Sequence, residues 1–142
     1  MQFTTFKIGR QWYAIDVTKV QEIVRPMAMT KIPLAPPYIC GLINLRGQVA
    51  TAIGMRQMFN ISDTPSEETI NVVCNFQGNL LALQVEEIGD VIEVHENDYE
   101  GVPQTLPESI RRFINGIYKT SSSLFTVIDI TKVNKYLNEQ CI

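Results

Sequence analysis

The sequence predicts an all-β protein built as barrels or a sandwich, and three observations carry that prediction. Apolar residues recur at every second position along much of the chain, the spacing that lays one face of a strand on a core. Candidate helices are few and short. Between strand-like segments lies "KIPLAPPYI", whose three prolines make it an extended crossover, because proline lacks the N–H that a helix interior or a central strand needs. Of 142 residues, 45% are hydrophobic and 19% charged. That is enough apolar material for one domain, or for two small lobes sharing a core.

The elements follow in order. Phe6 and Ile8 alternate with Thr5 and Lys7, Gly9-Arg10 marks a turn, and Tyr13, Ile15 and Val17 resume the pattern, which predicts a hairpin. Val20 to Val24 is a short strand ended by Arg25-Pro26. After the crossover, "GLINLRGQVATAI" and "TINVVCNFQGNLLALQVEEI" are strand-rich, and the second folds back at Gln77-Gly78-Asn79. "NISDTPSEET" between them reads as a polar surface loop, and "HENDYEGVPQTLPES" as a second long connection. "SIRRFINGIYK" leads into the strand "SLFTVIDI". Ile130, Val133 and Leu137 then stand at helical spacing, with Asp129 placed as N-cap. "AIDVTKV" at 14–20 echoes "VIDITKV" at 127–133, and "AIGMRQMF" at 52–59 has a similar outline. Asp16 and Asp129 suit capped turns there, whereas Gly54 offers no side-chain acceptor. Gly41 and Gly47 also read as turn glycines. The unequal spacings exclude a solenoid and favour a supersecondary unit reused in two small barrels.

Several function classes are disfavoured. With 12 basic and 15 acidic residues the net charge is −3, a poor match to nucleic acid as the main partner. No apolar run approaches the roughly 18 residues of a spanning helix, and "MQFTTFKIGR" lacks the order of a signal peptide. The expected setting is cytoplasmic, without direct membrane insertion. Cys40, Cys74 and Cys141 read as reduced small hydrophobes. Cys74, in mid-strand, reads as buried and inert. His95 among Glu93, Glu96 and Asp98 reads as surface, with no ligand set for a metal. Glu86, Glu87 and Asp90 read as a solvated strand edge. No nucleotide-binding motif or catalytic constellation emerges, so neither enzyme activity nor a cofactor is expected.

One residue stands apart. In "ICGLINLRGQVATAI" a lone Arg46 interrupts an apolar run without a nearby acid. A strand end before glycine lies at a barrel rim, where arginine lays its stem on apolar surface and shows its guanidinium. Its logical partner is Glu22 in "KVQEI".

The segments "YAIDVTKVQEIVR", "ICGLINLRGQV", "LLALQVEEIGDVIEV", "FINGIY" and "FTVIDITKV", in this order and spacing, resemble the CheW-type chemotaxis coupling proteins over nearly the full chain. "KVQEI" together with "NLRG" is the specific signature. The resemblance implies one domain over 1–142, made of two intertwined five-stranded SH3-like β-barrels with short helices. It implies a non-enzymatic adaptor linking membrane chemoreceptors to the regulatory domain of a CheA-type histidine kinase, and recruited to membrane receptor arrays. Carried over by position, Val20, Glu22 and Arg46 belong to receptor coupling. Ile70, Ile88 and Val91 would line the apolar groove that takes the receptor's cytoplasmic tip. Gly54 replaces the Asp of the family's V-x-D-L-R stretch, and "VEEI" at 85–88 stands where Val-Asp-Gly-Val is common. Two alternatives stay open: a CheW-like scaffold in a pilus or gene-regulatory pathway, and a small nucleic-acid-binding barrel.

Overall fold

Alternation and turn chemistry produce eleven strands and three short helices among the described residues of this computed structural model, 1–63 and 68–140. The order is β1 (Gln2–Ile8), β2 (Gln11–Asp16), β3 (Val20–Val24), β4 (Ile39–Leu45), β5 (Gln48–Gly54), α1 (Met55–Phe59), β6 (Ile70–Phe76), β7 (Asn79–Val85), β8 (Glu87–Glu93), β9 (Tyr99–Gly101), α2 (Glu108–Arg111), β10 (Ile114–Lys119), β11 (Leu124–Ile128) and α3 (Ile130–Gln140). They form a six-stranded sheet, β8-β1-β2-β11-β10-β9, and a five-stranded sheet, β3-β6-β7-β5-β4. The chain starts the first sheet, builds the whole second sheet with β3 to β7, and returns to finish the first.

The expected pair of five-stranded units is therefore six plus five. The extra strand, β9, comes from the segment read as a connection. Its three residues are too few to show alternation. Most neighbours are antiparallel, but β11 lies parallel to β2 and β5 parallel to β7. The first of these pairs explains the internal echo: Thr126 stands opposite Tyr13 and Val127 opposite Ala14, so "VIDITKV" and "AIDVTKV" run side by side. At their ends Asp16 Oδ1 accepts from the Thr18 N–H and Asp129 Oδ1 from the Thr131 N–H, each at 2.9 Å. Asp129 thereby caps α3, whose Ile130, Val133 and Leu137 are buried.

The second sheet curls until its edges are bridged. Beyond β3, Thr30 exchanges two backbone hydrogen bonds with Leu42 of β4, at 2.9 and 2.8 Å. Gly41 makes that approach possible. Its φ is 152°, and a Cβ there would stand 2.8 Å from the Thr30 carbonyl oxygen. Gly41 is thus a glycine inside β4 at a register shift, not the turn glycine expected.

Three apolar clusters result. Phe3, Ala14, Val94, Phe125 and Val127 pack on one face of the first sheet. Ile43, Leu45, Ala50, Val73 and Leu80 pack inside the second. The largest lies between the sheets and draws Phe6, Tyr13, Phe59, Val72, Leu83, Phe113 and Val133 from both. Cys74 belongs to it, and burial pushes its thiol up to about 12. Native protein treated with iodoacetamide at mildly alkaline pH should leave Cys74 unmodified until urea is added. Labelling without denaturant would mean that β6 opens readily. Cys40 is half-buried, and Cys141 lies outside the described residues.

Candidate functional site: a polar rim with a paired arginine

Arg46 and Gly47 are the two central residues of the turn joining β4 to β5, with φ of 52° and 89°. Two positive φ values in a two-residue loop are the type I′ arrangement, whose twist matches the flanking strands. The Asn44 side chain accepts a hydrogen bond from the Gly47 N–H at 2.9 Å and locks the turn. The β6–β7 turn repeats this design: Gln77 and Gly78 have φ of 50° and 88°, and Asn75 accepts from the Gly78 N–H at 3.0 Å. Because β5 and β7 are parallel, both turns sit at one end of the five-stranded sheet.

The start of β3 reaches the same end, since Val20 stands opposite Cys74 and Glu22 opposite Val73. There the Arg46 guanidinium donates to a Glu22 carboxylate oxygen. Arg46 thus joins opposite edge strands of the sheet, next to which Asn75 Nδ2 donates to Gln21 Oε1 at 3.2 Å. Gln21 and Asn75 were missed as rim residues. The shared N-x-x-G spacing of 44–47 and 75–78 was the signal that would have put the two turns together.

The hydrogen bond from Arg46 holds the Glu22 carboxyl below its usual range, against a smaller opposing effect of desolvation. The same bond pushes the Arg46 guanidinium up. Because the folded value of Glu22 is depressed, its stabilisation is present above the unfolded value of about 4.3 and is lost as pH falls through the folded value. An NMR titration should therefore find the Glu22 midpoint moving upward in Arg46→Ala. An unmoved midpoint would mean that the pair does not hold in solution.

A second charged cluster was not foreseen. Arg56 of α1 is 14% exposed and donates to Glu86 Oε1 at 2.7 Å and to Asp63 Oδ1 at 2.6 Å. It also donates to the Asp63 carbonyl oxygen. The other Glu86 oxygen accepts from the Gly9 N–H, so the network ties α1 to the β1–β2 turn and to the crossing from β7 to β8. Burial works against the charge on Arg56, but hydrogen bonds and attraction from Asp63 and Glu86 outweigh it and hold the group above its usual value. The Tyr13 hydroxyl is pushed up to about 12 by burial, with the Asp63 charge adding to it. Glu86, read from the sequence as part of a solvated edge, is corrected here. Its side chain is 8% exposed, held against Arg56 and the Gly9 N–H, whereas Glu87 and Asp90 are exposed.

The expected coupling residues do not form one patch. Val20, Glu22 and Arg46 share the rim. Ile70 begins β6 opposite Val85, four residues or about 13 Å along the strand from Cys74. Ile70 and Ile88 are partly buried against the central cluster. Val91 stands 56% exposed on β8, opposite Thr4. Among the described residues no three His, Cys, Asp or Glu side chains gather as a metal site, and no helix is long and apolar enough to cross a membrane.

Comparison with known proteins agrees with this geometry. A family model described as the CheW-like domain matches residues 2–136. The chemotaxis protein CheW of Bacillus subtilis (strain 168) is 33% identical over 129 residues, covering 90% of this chain and 83% of that one. Its namesake in Treponema pallidum (strain Nichols) is 29% identical over 137 residues, with 93% and 81% covered. The fold is similar to the crystal structure of the scaffolding protein TtCheW from Thermoanaerobacter tengcongensis, with a TM-score of 0.81 and 29% identity. That match covers 90% of this chain and 88% of that one. A curled five-stranded sheet whose rim pairs the arginine of "NLRG" with the glutamate of "KVQEI", within a match of this extent, places the chain in the CheW-like domain family.

Proposed function

We propose that this protein is a chemotaxis coupling adaptor that performs no catalysis. It holds the cytoplasmic tip of a chemoreceptor and the regulatory domain of a CheA-type kinase in one assembly, and it is a cytoplasmic molecule recruited to receptor arrays. The observation that carries this reading is the Arg46–Glu22 pair. It is built on a turn locked by Asn44, and the Arg46 side chain is 72% exposed. An ion pair this open contributes little to stability, so its fixed geometry suits a partner's surface. Modest contacts on two faces gain strength when many copies assemble, because each bound module raises the effective concentration of the next. The receptor then acts by favouring one arrangement of the assembly over another.

Calorimetric titration with a CheA regulatory domain, and separately with a receptor cytoplasmic hairpin, tests the reading. Saturable binding to both is expected, and a folded sample that binds neither would overturn it. Arg46→Glu should weaken hairpin binding roughly tenfold or more while leaving the urea midpoint near that of the parent. Unfolding of that variant would instead make Arg46 a structural residue.

A further inference from the structure

We propose that the pocket between α3 and the second sheet binds a small uncharged carboxamide, held by the Asn134 side chain. The first observation is where that asparagine stands. Ile130, Val133 and Leu137 form the buried stripe of α3, and Asn134 lies on the same stripe, four residues after Ile130 and three before Leu137. An aliphatic residue would be the ordinary occupant, and asparagine is the weaker helix former. Here an amide sits 7% exposed, and among the described residues its side chain makes no hydrogen bond. Burying an amide without partners opposes folding. A residue that breaks the local rule with no compensating contact marks a place kept for function.

The second observation is the space into which the amide opens, a pocket of about 240 Å³. Val49 and Thr51 of β5 and Asn79 and Leu81 of β7 line one side, and Asn134 and Leu137 of α3 the other. The parallel pairing of β5 with β7 sets Thr51 opposite Leu81, so alternate residues of the two strands share one face. Both strands start directly after the turns that carry Arg46 and Gln77, which puts the pocket at the rim end of the sheet.

The walls select the ligand. Among the described residues no Asp, Glu, Lys or Arg lines the pocket, so a charged ligand would leave water with nothing to offset its charge. An asparagine amide presents a donor and an acceptor side by side. A second carboxamide answers both at once, its N–H donating to Asn134 Oδ1 and its carbonyl accepting from Asn134 Nδ2. The Thr51 hydroxyl adds a polar group on the facing wall, and Val49 and Leu137 suit a short apolar body. The volume is below the roughly 300–1,000 Å³ of drug-sized sites, which limits the ligand to a few heavy atoms beyond the amide.

The test is an NMR titration of the isotope-labelled full chain with benzamide, read at the Asn134 side-chain NH₂ and the Thr51 backbone N–H. Benzoate and benzyl alcohol serve as comparisons. The chain is titrated alone, so the result bears on this site and leaves the coupling reading untouched. Benzamide should give saturable shifts at millimolar concentration or below, with the other two compounds at least about tenfold weaker. Asn134→Leu should unfold at a higher urea concentration than the parent, because an unpaired amide leaves the apolar stripe, and should weaken benzamide at least about tenfold. Thr51→Val should keep the parent's urea midpoint and weaken benzamide by roughly threefold. No saturable shift with benzamide, or equal binding of all three compounds, would overturn the proposal. An Asn134→Leu variant less stable than the parent would overturn it too, by making the amide a structural group.

Discussion

Arg56→Ala should lower the unfolding free energy by about 2–3 kcal/mol, because it removes a partly buried cation together with its charge-assisted hydrogen bonds. Glu86, 8% exposed, and Asp63, 23% exposed, would each lose the guanidinium that donates to them, while Arg10, largely in solvent, stands 3.9 Å from Asp63. A loss of that size is a large share of the roughly 5–15 kcal/mol that holds a domain of this kind together. Arg56→Lys should recover little, because one ammonium cannot reproduce the forked contact with two carboxylates. Adding Glu86→Gln to Arg56→Ala should cost less than the sum of the two single substitutions, because both remove the same contact. Urea denaturation of the parent, Arg56→Ala, Glu86→Gln and the double variant forms a double-mutant cycle. A loss below about 1 kcal/mol for Arg56→Ala would place the cluster among solvent-screened surface pairs.

Phe113→Ala should cost about 3–5 kcal/mol and should lower the unfolding of the entire chain at once. Phe113 is 2% exposed, stacks on Phe59 at 6.1 Å and meets Tyr136 of α3 edge-on at 5.0 Å. Phe59 in turn lies 5.3 Å from Tyr13 of β2. These rings run from α3 through α1 to the first sheet, within the cluster that also holds Val72 and Leu83 of the second sheet. We propose on this ground that the two lobes are one cooperative domain. Trp12 fluorescence reports the first sheet and far-UV circular dichroism the whole, so their midpoints should coincide in the parent and shift together in the variant. Midpoints that separate would mean two independently folding lobes.

The family resemblance and most strands were legible in the sequence because their signals are local. Alternation assigned Phe6 and Ile8 to a buried face, Asp129 announced the start of α3, and Gln77-Gly78 announced a hairpin. The pair of Arg46 and Glu22, though 24 residues apart, was reachable because Glu22 lies in another strand-like segment that carries apolar Val20 and Ile23. Sheet membership was not legible. The period-two pattern says that a strand has a buried face but not which neighbour it takes, so the parallel pairs and the three-residue β9 were decided by the tertiary structure. So was the fate of Glu86. Glu86 and Glu87 are adjacent acids in a strand-like stretch and look alike from sequence. Only folding brings Arg56, 30 residues away, and the Gly9 N–H, 77 residues away, against one of them. Burial of a charge depends on groups that chain spacing does not connect. The sequence by itself determined where strands and turns form; the tertiary structure decided which polar groups leave water.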